Sequence, residues 1–109
     1  MKIKWLNLAS QDLKYVEAYI AQENPTSAVQ VVLRIIDAVE LLADQPGIGR
    51  LGRVEGTREL VIAGTPFIVP YRKKGACIEI LRVYHQAPFG VFVASLVFSH
   101  NGYTLSFCG

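Results

Sequence analysis

Three runs in the second half of the chain concentrate β-branched and aromatic residues between short breaks: Gly56 to Ile62, Phe67 to Arg72, and Ile78 to His85. Such residues fit a pleated, half-buried surface, which predicts strands near residues 56–63, 66–73 and 76–84. The breaks Ala63-Gly64-Thr65-Pro66 and Lys73-Lys74-Gly75-Ala76 are short enough to reverse the chain, so the three strands form an antiparallel meander with one face open to helices. At the other end, Lys2 to Trp5 alternates polar and apolar, predicting an edge strand near residues 2–6.

Between these runs the period changes. Ala9, Leu13, Val16 and Ile20 recur at helical spacing, with Gln11, Lys14 and Glu17 opposite, predicting a helix near 8–22 capped by Asn7 or Ser10. Asn24-Pro25 opens a second helix near 25–45, with Asn as the cap and Pro at the first helical position. Ala28, Val32, Ile35, Val39 and Leu42 form its main apolar face. Val29, Leu33 and Ile36 widen that face, leaving a polar stripe at Gln30, Arg34, Asp37 and Asp44. Pro46-Gly47 ends it. The resulting expectation is an α+β fold: an N-terminal strand, then an antiparallel two-helix hairpin packed on a small antiparallel β-sheet.

At 109 residues the chain has room for one core. With 51% hydrophobic and 18% charged residues, disorder is excluded. Residues 1–47 carry 4 basic and 6 acidic side chains and residues 48–109 carry 7 and 3, so the sheet half is the basic one. That bias suits an acidic partner, and equally a surface that meets only water. The two cysteines, Cys77 and Cys108, lack metal spacing and read as a reduced cytosolic pair, with a structural disulfide as the alternative. No secretory h-region opens the chain, and the apolar run from Pro88 to Phe98 is shorter than the roughly 20 residues of a membrane span. The expectation is a cytoplasmic protein with no membrane contact.

The chemistry-bearing residues gather on the predicted sheet. Arg58, Arg82, Tyr84 and His85 are the candidate catalytic set, because arginine, tyrosine and histidine together can bind a phosphodiester, stabilise a pentacovalent phosphate and move a proton. Period-two alternation places Arg82 and Tyr84 on one face and His85 on the other unless the strand bulges. The plainer reading pairs the arginines with Glu59 and Glu79 and packs Tyr84 against a helix. Between Gly47 and Gly56 lies a glycine-punctuated loop whose spacing fits no phosphate-binding motif. It reads as a flexible connection whose glycines permit positive φ. Arg50 and Arg53 in this loop, with Arg72 on the sheet rim, are candidate partner-binding residues. Asp12, Glu17, Asp37 and Glu40 read as solvent-facing helical charges. His85 and His100 lack a third ligand, so no metal is expected, and no motif calls for a cofactor.

The order of elements, together with Trp5, Asp12-Leu13, Asn24-Pro25, Pro46-Gly47-Ile48-Gly49-Arg50, Gly56-Thr57-Arg58-Glu59-Leu60, Phe67-Ile68-Val69-Pro70-Tyr71-Arg72 and Ile80-Leu81-Arg82-Val83-Tyr84-His85, resembles the RelE/ParE family of bacterial toxins. The resemblance spans about residues 3–87. It implies the toxin component of a type II toxin–antitoxin module and a cognate antitoxin that wraps it. RelE-like members are ribosome-dependent mRNA endoribonucleases, whereas ParE-like members poison DNA gyrase. Where the ribonucleases commonly carry an arginine in the middle strand, this chain has Phe67, and its Arg-Val-x-His ending is similar to ParE-like sequences. The resemblance therefore favours DNA gyrase as target over the ribosome and mRNA. An inactive relic that only binds an antitoxin is the remaining alternative. Residues 1–87 form the toxin-like domain, and residues 88–109 form an apolar tail foreign to the family pattern, as a frame change or read-through near residue 87 would produce.

Overall fold

The computed structural model describes residues 1–86. In chain order its elements are β1 (Lys2–Trp5), α1 (Asn7–Ala21), α2 (Pro25–Glu40), a 3₁₀ turn at Leu41–Ala43, β2 (Arg50–Leu51), β3 (Thr57–Val61), β4 (Phe67–Lys74), β5 (Cys77–Ile80) and β6 (Tyr84–His85). The expected tail at 88–109, and the domain boundary before it, lie outside the described residues.

Two helices pack on one mixed sheet, an α+β fold with strand order β1-β5-β4-β3-β2. The meander is antiparallel as expected, with β3 on β4 and β4 on β5. β1, however, joins β5 in parallel, with Lys2 opposite Cys77 and Trp5 opposite Ile80. Parallel pairing needs a crossover connection, and the helical hairpin begins that crossover. β1 therefore makes the sheet mixed.

Directly opposed residues share a face, so the register sorts the side chains. Leu60, Ile62, Phe67, Val69, Tyr71, Ile78 and Ile80 point into the core, where they meet Ala9, Val16, Ile35, Val39 and Leu42 from the helical side. On the other face, Lys4, Glu79, Arg72 and Thr57 lie in one cross-strand row, with Lys2, Cys77 and Lys74 in the next.

Helix entry differs at the two helices. Asn24 caps α2 as expected, its Oδ1 accepting from Ser27 N at 3.0 Å, with Pro25 following. α1 instead starts from Leu6 without a side-chain cap, so neither Asn7 nor Ser10 plays that part. Leu6 N donates to Ile80 O at 3.0 Å, so the sheet itself sets where α1 begins. The apolar face of α2 is wider than the core needs: Ile35 and Val39 are fully buried, while Val29 and Leu33 stay about half exposed.

The predicted strand at 76–84 is interrupted. β5 pairs with β4 as far as Ile80 opposite Tyr71, and β6 resumes on the same edge of β4 with Tyr84 opposite Ile68. Between those two points the outer strand uses one more residue than β4, which is a bulge. Its cause is Pro70 in the middle of β4. Pro70 O accepts from Leu81 N at 2.9 Å, but its nitrogen has no hydrogen to return, so the ladder breaks there.

Candidate functional site

The bulge is held from the helical layer. Asp12 on α1 accepts from Arg82 Nε at 2.8 Å and Arg82 Nη2 at 3.1 Å, and its Oδ2 also accepts from Val83 N at 3.0 Å. One carboxylate thus binds an arginine in bidentate fashion and satisfies a backbone N–H that the broken ladder leaves without a strand partner. Asp12 is 1% exposed and the Arg82 side chain 12%. This corrects the solvent-facing assignment of Asp12. Its place three residues after Ala9 and four before Val16 puts it inside the buried stripe of α1. Burial pushes the Asp12 carboxyl up, while the hydrogen bonds from Arg82 and Val83 and the guanidinium charge pull it back down. Arg82 is raised in turn, chiefly by its hydrogen bond to Asp12. Three donors converging on one carboxylate match an ionised acceptor, and we treat the pair as charged.

Of the other candidate catalytic residues, Tyr84 touches this pair, whereas His85 and Arg58 do not join it. The Arg82 guanidinium carbon lies 5.6 Å from the Tyr84 ring centroid, a cation–π contact. Tyr84 faces outward opposite Ile68, whereas His85 faces the core opposite Phe67. The imidazole meets the Phe67 ring edge-on at 5.5 Å, its Nδ1 is buried without a hydrogen-bond partner among the described residues, and burial lowers its pKa. Neutral His85 is therefore the favoured form. Phe67, 4% exposed, belongs to the core.

Arg58 does not join Arg82. It lies opposite Tyr71 and donates from Nη1 to Gly49 O at 2.8 Å. Tyr71, 1% exposed, completes the same clamp: its hydroxyl accepts from Gly49 N at 2.9 Å and donates to Pro46 O at 2.8 Å. A Cβ on Gly49 would sit 2.6 Å from that hydroxyl, so close approach explains this glycine. Of the loop's glycines, only Gly56 has a positive φ, 81°. The expected flexible connection is thus a pinned segment containing β2, which pairs with β3.

The candidate partner-binding residues divide. Arg50 Nε meets Glu59 Oε1 at 3.0 Å, and Arg72 Nε meets Glu79 Oε1 at 2.7 Å, both directly across the sheet. The plainer reading of the charged face named both acceptors, and it assigned the wrong arginines to them. Arg53 makes no ion pair among the described residues and is exposed. The Glu79 carboxyl is lowered, first by the Arg72 hydrogen bond. No group of three or more His, Cys, Asp or Glu among the described residues is placed to hold a metal ion. No helix among them is long and apolar enough to cross a membrane.

Two helices packed on a mixed sheet are the fold of the ParDE toxins. The family model described as "ParE toxin of type II toxin-antitoxin system, parDE" matches residues 3–88, and the chain belongs to that family. The chain is 45% identical over 84 residues to the Sinorhizobium fredii protein Y4kP, covering 77% of this chain and 86% of that one. It is 33% identical over 86 residues to Toxin RelE2 of Caulobacter vibrioides, covering 79% and 96%. Among solved structures it resembles a chain of the chromosomal ParDE toxin–antitoxin system from P. aeruginosa. That match has a TM-score of 0.69 and 35% identity, over 76% of this chain and 92% of the other. The protein is the toxin of a ParDE-type toxin–antitoxin system, and its family implies an antitoxin partner.

Proposed function

We propose that this toxin arrests growth by binding DNA gyrase and not by cutting mRNA. The observation that carries the reading is that Arg58 and His85 lie apart from Arg82 and Tyr84, which touch each other. Cleaving RNA through its 2′-hydroxyl requires a base or its electrostatic substitute, a stabiliser for the phosphorane and an acid for the leaving oxygen, all on one phosphate. Here Arg58 is turned to Gly49, Arg82 is bound to Asp12, and His85 faces the core against Phe67. Tyr84 alone of the four faces outward from the sheet, and one residue cannot supply all three functions.

A protein-binding mechanism asks only for a rigid, displayed surface. Arg50, Arg72 and Arg53 provide positive charge along the sheet rim and the clamped loop, with the antitoxin as competing partner. The test uses purified full-length toxin in two parallel assays: gyrase supercoiling, and mRNA integrity in a translating extract. The expected result is loss of supercoiling with intact mRNA, relieved by antitoxin. Codon-positioned cuts that disappear in a folded Tyr84→Phe variant would replace gyrase by the ribosome. Silence in both assays, with antitoxin binding retained, would mark the chain as an inactive binding module.

A further inference from the structure

At the end of β4 away from the bulge, a cleft of about 260 Å³ opens between the clamped loop, the Gly56 turn and the strand ends. Pro46, Gly47, Gly56 and Tyr71 form its walls, and Arg58, Arg72 and Lys73 supply its charge. No carboxylate is among the described residues that line it. The hydrogen bonds of these cations within the described residues leave donors over. Arg58 spends Nη1 on Gly49 O, Arg72 spends Nε on Glu79, and Lys73 makes no ion pair. Ile48, next in sequence to Gly47, is 45% exposed, and Val54, two residues before Gly56, is 68% exposed. A Cβ at Gly47 or at Gly56 would meet nothing within 4 Å, so the mouth is open at both glycines.

We propose that this cleft is a binding site for one acidic side chain carried on an otherwise apolar peptide segment. Three cations without a lining carboxylate favour an anion, and a guanidinium with unspent N–H groups presents the fork that a carboxylate accepts. The exposed Ile48 and Val54, close in sequence to the glycines at the cleft mouth, favour a peptide, because a nucleic-acid backbone places charge at every step and offers such side chains no apolar cover. A peptide with apolar residues on either side of one Glu covers them and places a single charge where the cations are. The inference rests on the cleft and not on the gyrase reading, since binding is measured on the isolated chain.

The experiment titrates full-length protein with a fluorescein-labelled twelve-residue peptide bearing one central Glu between leucines. Parallel titrations use the Gln version of the peptide, inorganic phosphate and a single-stranded oligonucleotide. Binding of the Glu peptide is expected, weakened about tenfold in the Gln version, as loss of one charge-assisted contact would give. Lys73→Glu should weaken it by at least about tenfold, while Lys73→Arg keeps it. Lys73 is exposed, so its variants should fold, and thermal melting checks that they do. Gly47→Glu, which places a carboxylate at the mouth, is a second variant expected to block binding. Equal affinity for the Glu and Gln peptides, indifference to Lys73→Glu, or tighter binding of the oligonucleotide or phosphate would each overturn the proposal.

Discussion

Both ends of β4 carry arginine, and they use it in opposite ways. At the Phe67 end, Arg82 is drawn into the protein by Asp12, and its side chain is only 12% exposed. At the Lys74 end, Arg72 and Arg58 keep N–H groups over, and Lys73 has no ion pair among the described residues. The difference lies in which carboxylate reaches which cation. Asp12 comes from the buried stripe of a helix and arrives desolvated, whereas Glu59 and Glu79 come from the sheet itself and leave their arginines about half exposed. A cation at a bulge is structural, and a cation at an open strand end is available.

Breaking the first end should cost most. Arg82→Ala leaves a buried carboxylate with one donor, and a loss of about 3–5 kcal/mol in urea unfolding is expected. Asp12→Leu combined with Arg82→Met should recover only part of that, because Val83 N loses its acceptor whatever replaces the charges. Recovery to the starting stability would show that the pair, and not the bulge, is what Asp12 serves. Gly49→Ala forces its Cβ onto the Tyr71 hydroxyl and should cost about 1–3 kcal/mol, with the clamped loop becoming protease-sensitive.

A smaller effect separates the ends by pH. Burial depresses the His85 pKa, so the unfolded chain binds the proton more readily than the folded one. Stability is then fully present above the ordinary value of 6.5 and is lost as pH falls from there through the folded-state value. His85→Leu should flatten that slope in melts between pH 7.5 and pH 5. The chain's other histidine, His100, is common to both proteins, so the difference belongs to His85. An unchanged slope would show that the imidazole is already solvated. The smallest effect is expected on the sheet rim, where Arg50→Ala, half exposed beside Glu59, should change unfolding by no more than about 1 kcal/mol.

Much of this architecture was legible in the sequence because it rests on local signals. The Asn24-Pro25 cap, the helical stripes and the meander with its two glycine turns all appear where periodicity and turn chemistry put them. What escaped depends on contacts between distant residues. β1 alternates as an edge strand does, yet alternation carries no direction, so its parallel pairing with β5 could not be read. Asp12 was legible in position but not in role, since its partner lies 70 residues away. The bulge does have a signal in the sequence: a proline inside an otherwise central strand must break a ladder somewhere. Once it does, Arg82 is drawn to Asp12 while it keeps its contact with Tyr84, and Arg58 and His85 lie apart from that pair.

The parallel β1–β5 pair has a consequence for the order in which the molecule assembles. The helical hairpin closes through contacts near in sequence, and the meander through turns of a few residues. β1, however, faces Cys77 to Ile80 and must wait for the opposite end of the described chain. Closing so long a loop is slow compared with forming a hairpin. A nascent toxin halted before residue 77 therefore has its helices but an unfinished sheet, with no β5 to receive Lys2–Trp5 and no Arg82 to meet Asp12. The finished surface appears only when synthesis of the described residues is nearly over.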